Sequence, residues 1–219
     1  MGGDSGLGEA LWTAGGVKHP DLRTDATGTL DDTAVARAQE YTVLSALLAR
    51  PPDAALLKRL ARLESDGTPL GFAHEALAGA AAERNAAAVA REYFDLFIGV
   101  GRGELLPYGS YYLTGFLHER PLARLRADLD AMGIERAEGQ CEPEDHAAIL
   151  CEIMEGLVAG EFAAPVEGQR YFFDRHLAAW MSRFFADLEA AKAADFYRPV
   201  GVIGRLFIEI ETAAFALPG

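Results

Sequence analysis

From Asp31 onward the apolar residues of this chain recur every three or four positions, the spacing that gathers one face of an α-helix. Tyr41, Leu44, Leu47 and Leu48 form the first stripe, opened by the cap candidates Asp31, Asp32 and Thr33 and stopped by Pro51-Pro52. Asp53 starts a second helix with Leu56, Leu57, Leu60 and Leu63 inward, and Gly67-Thr68-Pro69 is a turn. The alanine-rich stretch from Phe72 to Ala90 predicts a short helix and the start of a longer one, which ends in Tyr93, Phe94, Leu96, Phe97 and Ile98 before Gly99. Pro107 to Leu117 reads as loop entering helix. Pro121 begins a helix with Leu122, Leu125, Leu129 and Met132 on one side, closed by Gly133.

A further helix is predicted to open within Glu142-Pro143-Glu144-Asp145-His146. It buries Ile149, Leu150, Ile153, Met154, Leu157 and Val158, and ends near Gly160. Two long helices follow: one carrying Phe173, Leu177, Trp180, Met181, Phe184 and Leu188, the other running from about Asp195 to Phe215 with Pro199 in its first turn. No convincing alternating strand is present. The expected fold is all-α, a single globular domain of roughly eight to ten helices over residues 31–219. Residues 1–30, rich in Gly, Thr and Asp, read as a mobile N-terminal tail in which Trp12 docks locally. The loop after Gly160 is a candidate hinge, which would permit a domain-swapped dimer as well as a monomer.

Charge narrows the partners. Net charge is −13, which disfavours nucleic acid and anionic lipid and suits a cationic partner. Much of the imbalance lies between Asp130 and Glu161, where nine acids face one base, Arg136. A solvated helix face accounts for such a run, and so does a docking surface for a basic peptide. The two cysteines, Cys141 and Cys151, lack the number and spacing of a disulfide framework or a paired-cysteine zinc site, and fit a reducing cytoplasm. No stretch is long and apolar enough to cross a membrane, and the first thirty residues lack the features of a secretory signal.

No complete reaction centre is legible. His74-Glu75 and His118-Glu119 each lack the second histidine of a zincin. Ser110 lacks the glycine pattern of a nucleophile elbow. The loop Gly99-Val100-Gly101-Arg102-Gly103 lacks the preceding strand, the dinucleotide spacing and the P-loop lysine. Neither a metal set nor a cofactor loop is found. Glu142 to His146 has an ordinary explanation as a helix start: Glu142 at the cap, Pro143 at the first helical position, Glu144 and Asp145 at the positive end of the dipole.

A second unusual segment, Leu106-Pro107-Tyr108-Gly109-Ser110-Tyr111-Tyr112-Leu113, changes the weight of that explanation. Together with Tyr93 to Phe97, the glycine-rich loop, Glu142 to His146 and the aromatic C-terminal helices, it resembles the TorD/DmsD/NarJ family of chaperones for molybdenum oxidoreductases. The resemblance covers the chain from about Thr33 onward and leaves residues 1–30 outside.

It implies a non-enzyme with no cofactor of its own. Such a chaperone binds the catalytic subunit of a molybdopterin oxidoreductase before cofactor insertion, or its twin-arginine signal peptide, and delays export from the cytoplasm. Overall likeness leans toward a formate dehydrogenase or a sulfoxide/amine-oxide reductase as client. Carried over by position, Asp145 and His146 match the family's Asp-His pair, with Pro143 beside them. Pro107, Tyr108, Gly109 and Ser110, with Tyr112, match its loop, and Tyr93, Leu96 and Phe97 an apolar helix face. Relatives often carry another aromatic where this chain has Tyr108. On this reading Glu142, Glu144 and Asp145 meet the arginines, Tyr93, Phe97, Tyr108 and Tyr112 line a groove, and His146 makes binding pH-sensitive near neutrality. Two other readings stay open: a helical GTP hydrolase built on the Gly99 to Gly103 loop, and an acidic interaction module for an unrelated basic partner.

Overall fold

The computed structural model describes residues 12–14, 32–136, 142–162 and 166–217. Ten α-helices occur among them: α1 (Asp32–Ala49), α2 (Ala54–Leu60), α3 (Pro69–Glu83), α4 (Ala86–Tyr93), α5 (Gly109–Thr114), α6 (Arg120–Ala131), α7 (Ala147–Ala159), α8 (Val166–His176), α9 (Met181–Ala190) and α10 (Tyr197–Ala216). The all-α expectation holds. Several helix starts follow local chemistry. Asp53, Thr68 and Asn85 each accept a backbone N–H from the first turn of the helix they open.

α7 is the central helix. Ten of its thirteen residues are buried, so it is apolar nearly all round rather than on one stripe, and it packs on α1. α9 and α10 pack together, and α10 also lies on α3. Carboxylates tie the layers. Glu211 of α10 is 1 % exposed and accepts from Arg37 Nε and Nη2 of α1, at 2.7 and 2.8 Å, and from the Tyr41 hydroxyl at 2.9 Å. Glu92 accepts the N–H groups of Asp195, Phe196 and Tyr197, capping α10 from another part of the chain because Phe196 offers no side-chain cap. Asp128 of α6 holds His176 at 2.7 Å and Arg175 at 2.8 Å, fixing α6 against α8.

Three expectations are corrected. Glu142 to His146 is not a helical turn: α7 begins at Ala147, and His146, extended at φ −67° and ψ 137°, is its cap. The single helix expected through Phe173 to Leu188 is two, α8 and α9. Trp180 leaves the helical region at φ −148°, and its indole N–H donates to the His176 carbonyl at 2.7 Å, satisfying a group the broken helix would leave bare. The helix expected to end before Gly99 does so, its last turn, Phe94–Ile98, being π-helical. Finally, two short strands exist: β1 (Trp12–Ala14) pairs antiparallel with β2 (Ile134–Arg136). Three residues are too few to show alternation, so no sequence pattern marks them. The candidate hinge begins at Gly160, which closes α7 at φ 78°, but the chain is buried again at Phe162, whose ring lies against Gly156. Cys141 and most of residues 1–30 lie outside the described residues.

Candidate functional site

The two unusual segments meet. Tyr108 and His146 form an antiparallel bridge, with Gly109 N–H donating to the Asp145 carbonyl at 2.9 Å and Ala147 N–H to the Pro107 carbonyl at 2.8 Å. The start of α5 is thereby stitched to the start of the central helix. α5 has no side-chain cap of its own, since Tyr108 has no short oxygen to offer. Asp145 supplies it from across the junction: its Oδ2 accepts the Ser110 N–H at 2.6 Å. A Cβ at Gly109 would stand 3.1 Å from Trp180 Nε1, so the indole would have to give by a few tenths of an ångström.

His146 caps α7 through Nδ1, which accepts the Ala148 N–H at 3.1 Å; the proton therefore sits on Nε2. Burial pushes its pKa down to about 4, against the opposing pull of Glu142 and Asp145. The ring is neutral at physiological pH, so the expected titration near neutrality is corrected. Tyr108 packs edge-on against it at 5.1 Å and donates from its hydroxyl to Glu142 at 2.6 Å. Burial first, then that carboxylate, pushes the Tyr108 phenol up.

Glu144 is spoken for within the chain. It is 6 % exposed and takes Arg126 of α6 at 2.8 Å and Arg136 of β2 at 3.5 Å, while Arg136 also donates to the Glu142 carbonyl at 2.9 Å. Sequence reading found neither arginine's role; Arg136 stood out only as the lone base in an acidic run. Of the carboxylates assigned to ligand arginines, Glu142 is exposed and Asp145 keeps one oxygen unused.

The groove residues separate. Tyr93 and Leu96 are core, Tyr93 donating to the Leu48 carbonyl at 3.0 Å, and Phe97 is half-buried against Tyr93 and Tyr197. Tyr112 is half-buried over Trp180 and Phe184, with its hydroxyl on Asp187. Pro107 is buried. Pro143 is half-buried at the rim of a pocket of about 270 Å³ lined also by Tyr108, Ser110, Leu117, His118 and Asp145.

Two of the residues lining that pocket carry the feature that points to a ligand. Ser110 Oγ and Asp145 Oδ1 are both buried and have no hydrogen-bond partner in the protein. Such atoms cost about 1–3 kcal/mol each when left unsatisfied, more for a charged group. The glycine loop offers no comparable demand: Gly99, Glu104 and Leu105 spend their N–H groups on carbonyls of the π-helical turn, and a Cβ at Gly99 would strike the Arg102 carbonyl. Among the described residues no cluster suits a metal ion, and no helix is long and apolar enough to cross a membrane.

This helical chain has known counterparts. The family model described as nitrate reductase delta subunit matches residues 63–186, more than half of the chain. The chain belongs to this family, the TorD/NarJ group that the motifs resembled. The chaperone protein TorD of Vibrio cholerae is 27% identical over 130 residues, 55% of this chain and 59% of that protein. TorD of Aliivibrio fischeri is 29% identical over 135 residues, 57% and 63% of the two chains. The match thus spans about three-fifths of the length of these curated relatives. A structure described as a redox enzyme maturation protein from Archaeoglobus fulgidus superposes with a TM-score of 0.54 at 21% identity, over 79% of this chain and 93% of that one, which supports the fold.

Proposed function

We propose that this chain is a maturation chaperone of a molybdopterin oxidoreductase. It binds the catalytic subunit before the cofactor enters, or that subunit's twin-arginine signal peptide, and delays its export from the cytoplasm. The observation that carries this reading is the pair of buried, unpartnered atoms, Asp145 Oδ1 and Ser110 Oγ, on two residues that line the pocket beside Tyr108. A carboxylate oxygen only accepts, so its natural complement is a donor, and a guanidinium brings several donors with a matching charge. The exposed Glu142 is a second acceptor nearby, on the far side of the Tyr108 hydroxyl. A pocket of about 270 Å³ suits a side-chain head group. It falls below the range of roughly 300–1,000 Å³ common for small-molecule sites.

The relatives named chaperone proteins support the same class. A formate dehydrogenase or a sulfoxide/amine-oxide reductase remains our proposed client. The test is binding of a labelled twin-arginine peptide at increasing salt, with competition by a scrambled peptide of equal charge. We expect affinity to fall as salt screens the pairing, and the scrambled peptide to compete poorly. An affinity flat in salt, or equal competition by the scramble, would remove specific arginine recognition.

A further inference from the structure

At the end of α5 and just beyond it the chain exposes three large apolar side chains: Leu113 at 43 %, Phe116 at 69 % and Leu117 at 40 %. They are held outward by a defined turn. Gly115 closes α5 in the left-handed region at φ 83°, and the Thr114 hydroxyl donates to the Ser110 carbonyl at 2.8 Å while accepting the Phe116 N–H at 3.2 Å. His118, at the end of the turn, has φ 60°, the one non-glycine residue with positive φ among those described. A non-glycine residue in that region costs about 1 kcal/mol or more, so the turn is not the relaxed path for this sequence.

The apolar step is continuous with the polar pocket. Leu117 and His118 line it together with Asp145 and Ser110, the two residues that carry buried atoms without partners. One ligand therefore meets an anionic, acceptor-rich end and an apolar end within a few residues of each other. That matches one chemistry: a peptide in which a cationic side chain is closely followed by apolar ones. The protein's net charge of −13 favours such a partner over an anionic one. We propose that Leu113, Phe116 and Leu117 are the seat for the apolar segment of the client peptide whose cationic residue enters the Asp145 pocket. This rests on the proposed function and relocates its hydrophobic contact, because Tyr93 and Leu96 are core and have no free surface to offer.

The test uses the full chain, wild type and two variants: Leu113→Ser with Phe116→Ser, and Asp145→Asn. Each is titrated with two labelled peptides, one with twin arginines followed by an apolar run, one with the arginines alone, and each is run in a sedimentation experiment and a thermal melt. Exposed leucine and phenylalanine contribute little to folding, so the double variant should melt as wild type does. We expect the double variant to bind the long peptide about tenfold more weakly, or worse, and the short peptide as wild type does, as loss of two partly covered apolar anchors implies. Asp145→Asn should weaken both peptides. If the double variant binds the long peptide like wild type while Asp145→Asn does not, the apolar seat is overturned and the proposed function survives. If neither peptide binds wild type, the peptide reading and the seat fall together. A wild-type dimer that the double variant dissociates would show the step to be a self-interface and overturn the proposal.

Discussion

Replacing His146 by asparagine separates two roles that the structure gives one side chain. Histidine caps α7 through Nδ1 and is also a buried titratable group. Asparagine keeps a capping oxygen and removes the titration. In the folded protein burial lowers the His146 pKa from 6.5 to about 4. The unfolded chain therefore takes up a proton as pH falls through about 6.5, and the folded chain does so only near 4. Between those values the unfolded state binds more protons, so stability contributed by the neutral ring is present above pH 6.5 and is lost as pH falls. A depression from 6.5 to about 4 at about 1.4 kcal/mol per unit gives a loss of about 3 kcal/mol. The assay is urea unfolding of wild type and His146→Asn at pH 7, 6, 5 and 4.5. Other titrating groups, His176 among them, act equally in both proteins and cancel in the difference. The two stabilities should converge, or cross, as pH falls, with wild type losing more. Parallel curves across the range would refute the buried, neutral cap.

Further tests address the frame around the site. Glu211→Ala removes the carboxylate that Arg37 and the buried Tyr41 hydroxyl share, and should cost about 2–4 kcal/mol in urea unfolding; a loss below about 0.5 kcal/mol would mean that the α1–α10 tie is unimportant. Glu155 is half-buried, and burial followed by Glu161 and Glu152 lifts its pKa to about 7. Its folded-state pKa lies above the ordinary value, so the penalty of the ionised form is full above pH 7 and is relieved toward pH 4.5. Glu155→Gln should accordingly raise the melting temperature at pH 8 and have less effect at pH 5; a uniform shift would contradict the assignment. Asp145→Ala should destabilise α5 by roughly 1–2 kcal/mol as its only carboxylate cap is lost, while Asp145→Asn, which keeps an acceptor for Ser110, should cost less. Equal melting of the two variants would deny that Asp145 caps α5.

The helical architecture was legible because periodicity, caps and breakers act locally. Asp53, Thr68 and Gly133 mark their boundaries with chemistry that depends only on neighbouring residues. The break at Trp180 was not legible, since it depends on an indole N–H finding the His176 carbonyl and on Gly109 arriving from another segment to pack on the ring. The same limit applied to the site. Asp145, His146 and Ser110 could be picked out by type, but not what each touches. Asp145 and Glu144, one residue apart, point to different elements, one to the start of α5 and the other to Arg126 and Arg136. An extended segment before α7 allows that divergence; the helical turn expected from the sequence would have put both on one end of one helix. Exposure was equally hidden: Tyr93 and Phe116 look alike as aromatics near helix ends, yet one is core and the other faces solvent.

The most direct measurement is affinity capture from an extract of the native cell, with wild type and Asp145→Asn as parallel baits and bound proteins identified by mass spectrometry and assayed for molybdopterin. The account predicts a molybdopterin oxidoreductase catalytic subunit, lacking its cofactor, retained by wild type and depleted by Asp145→Asn. Absence of any such subunit on a folded wild-type bait, with the client genes expressed, or equal retention by both baits, would contradict it.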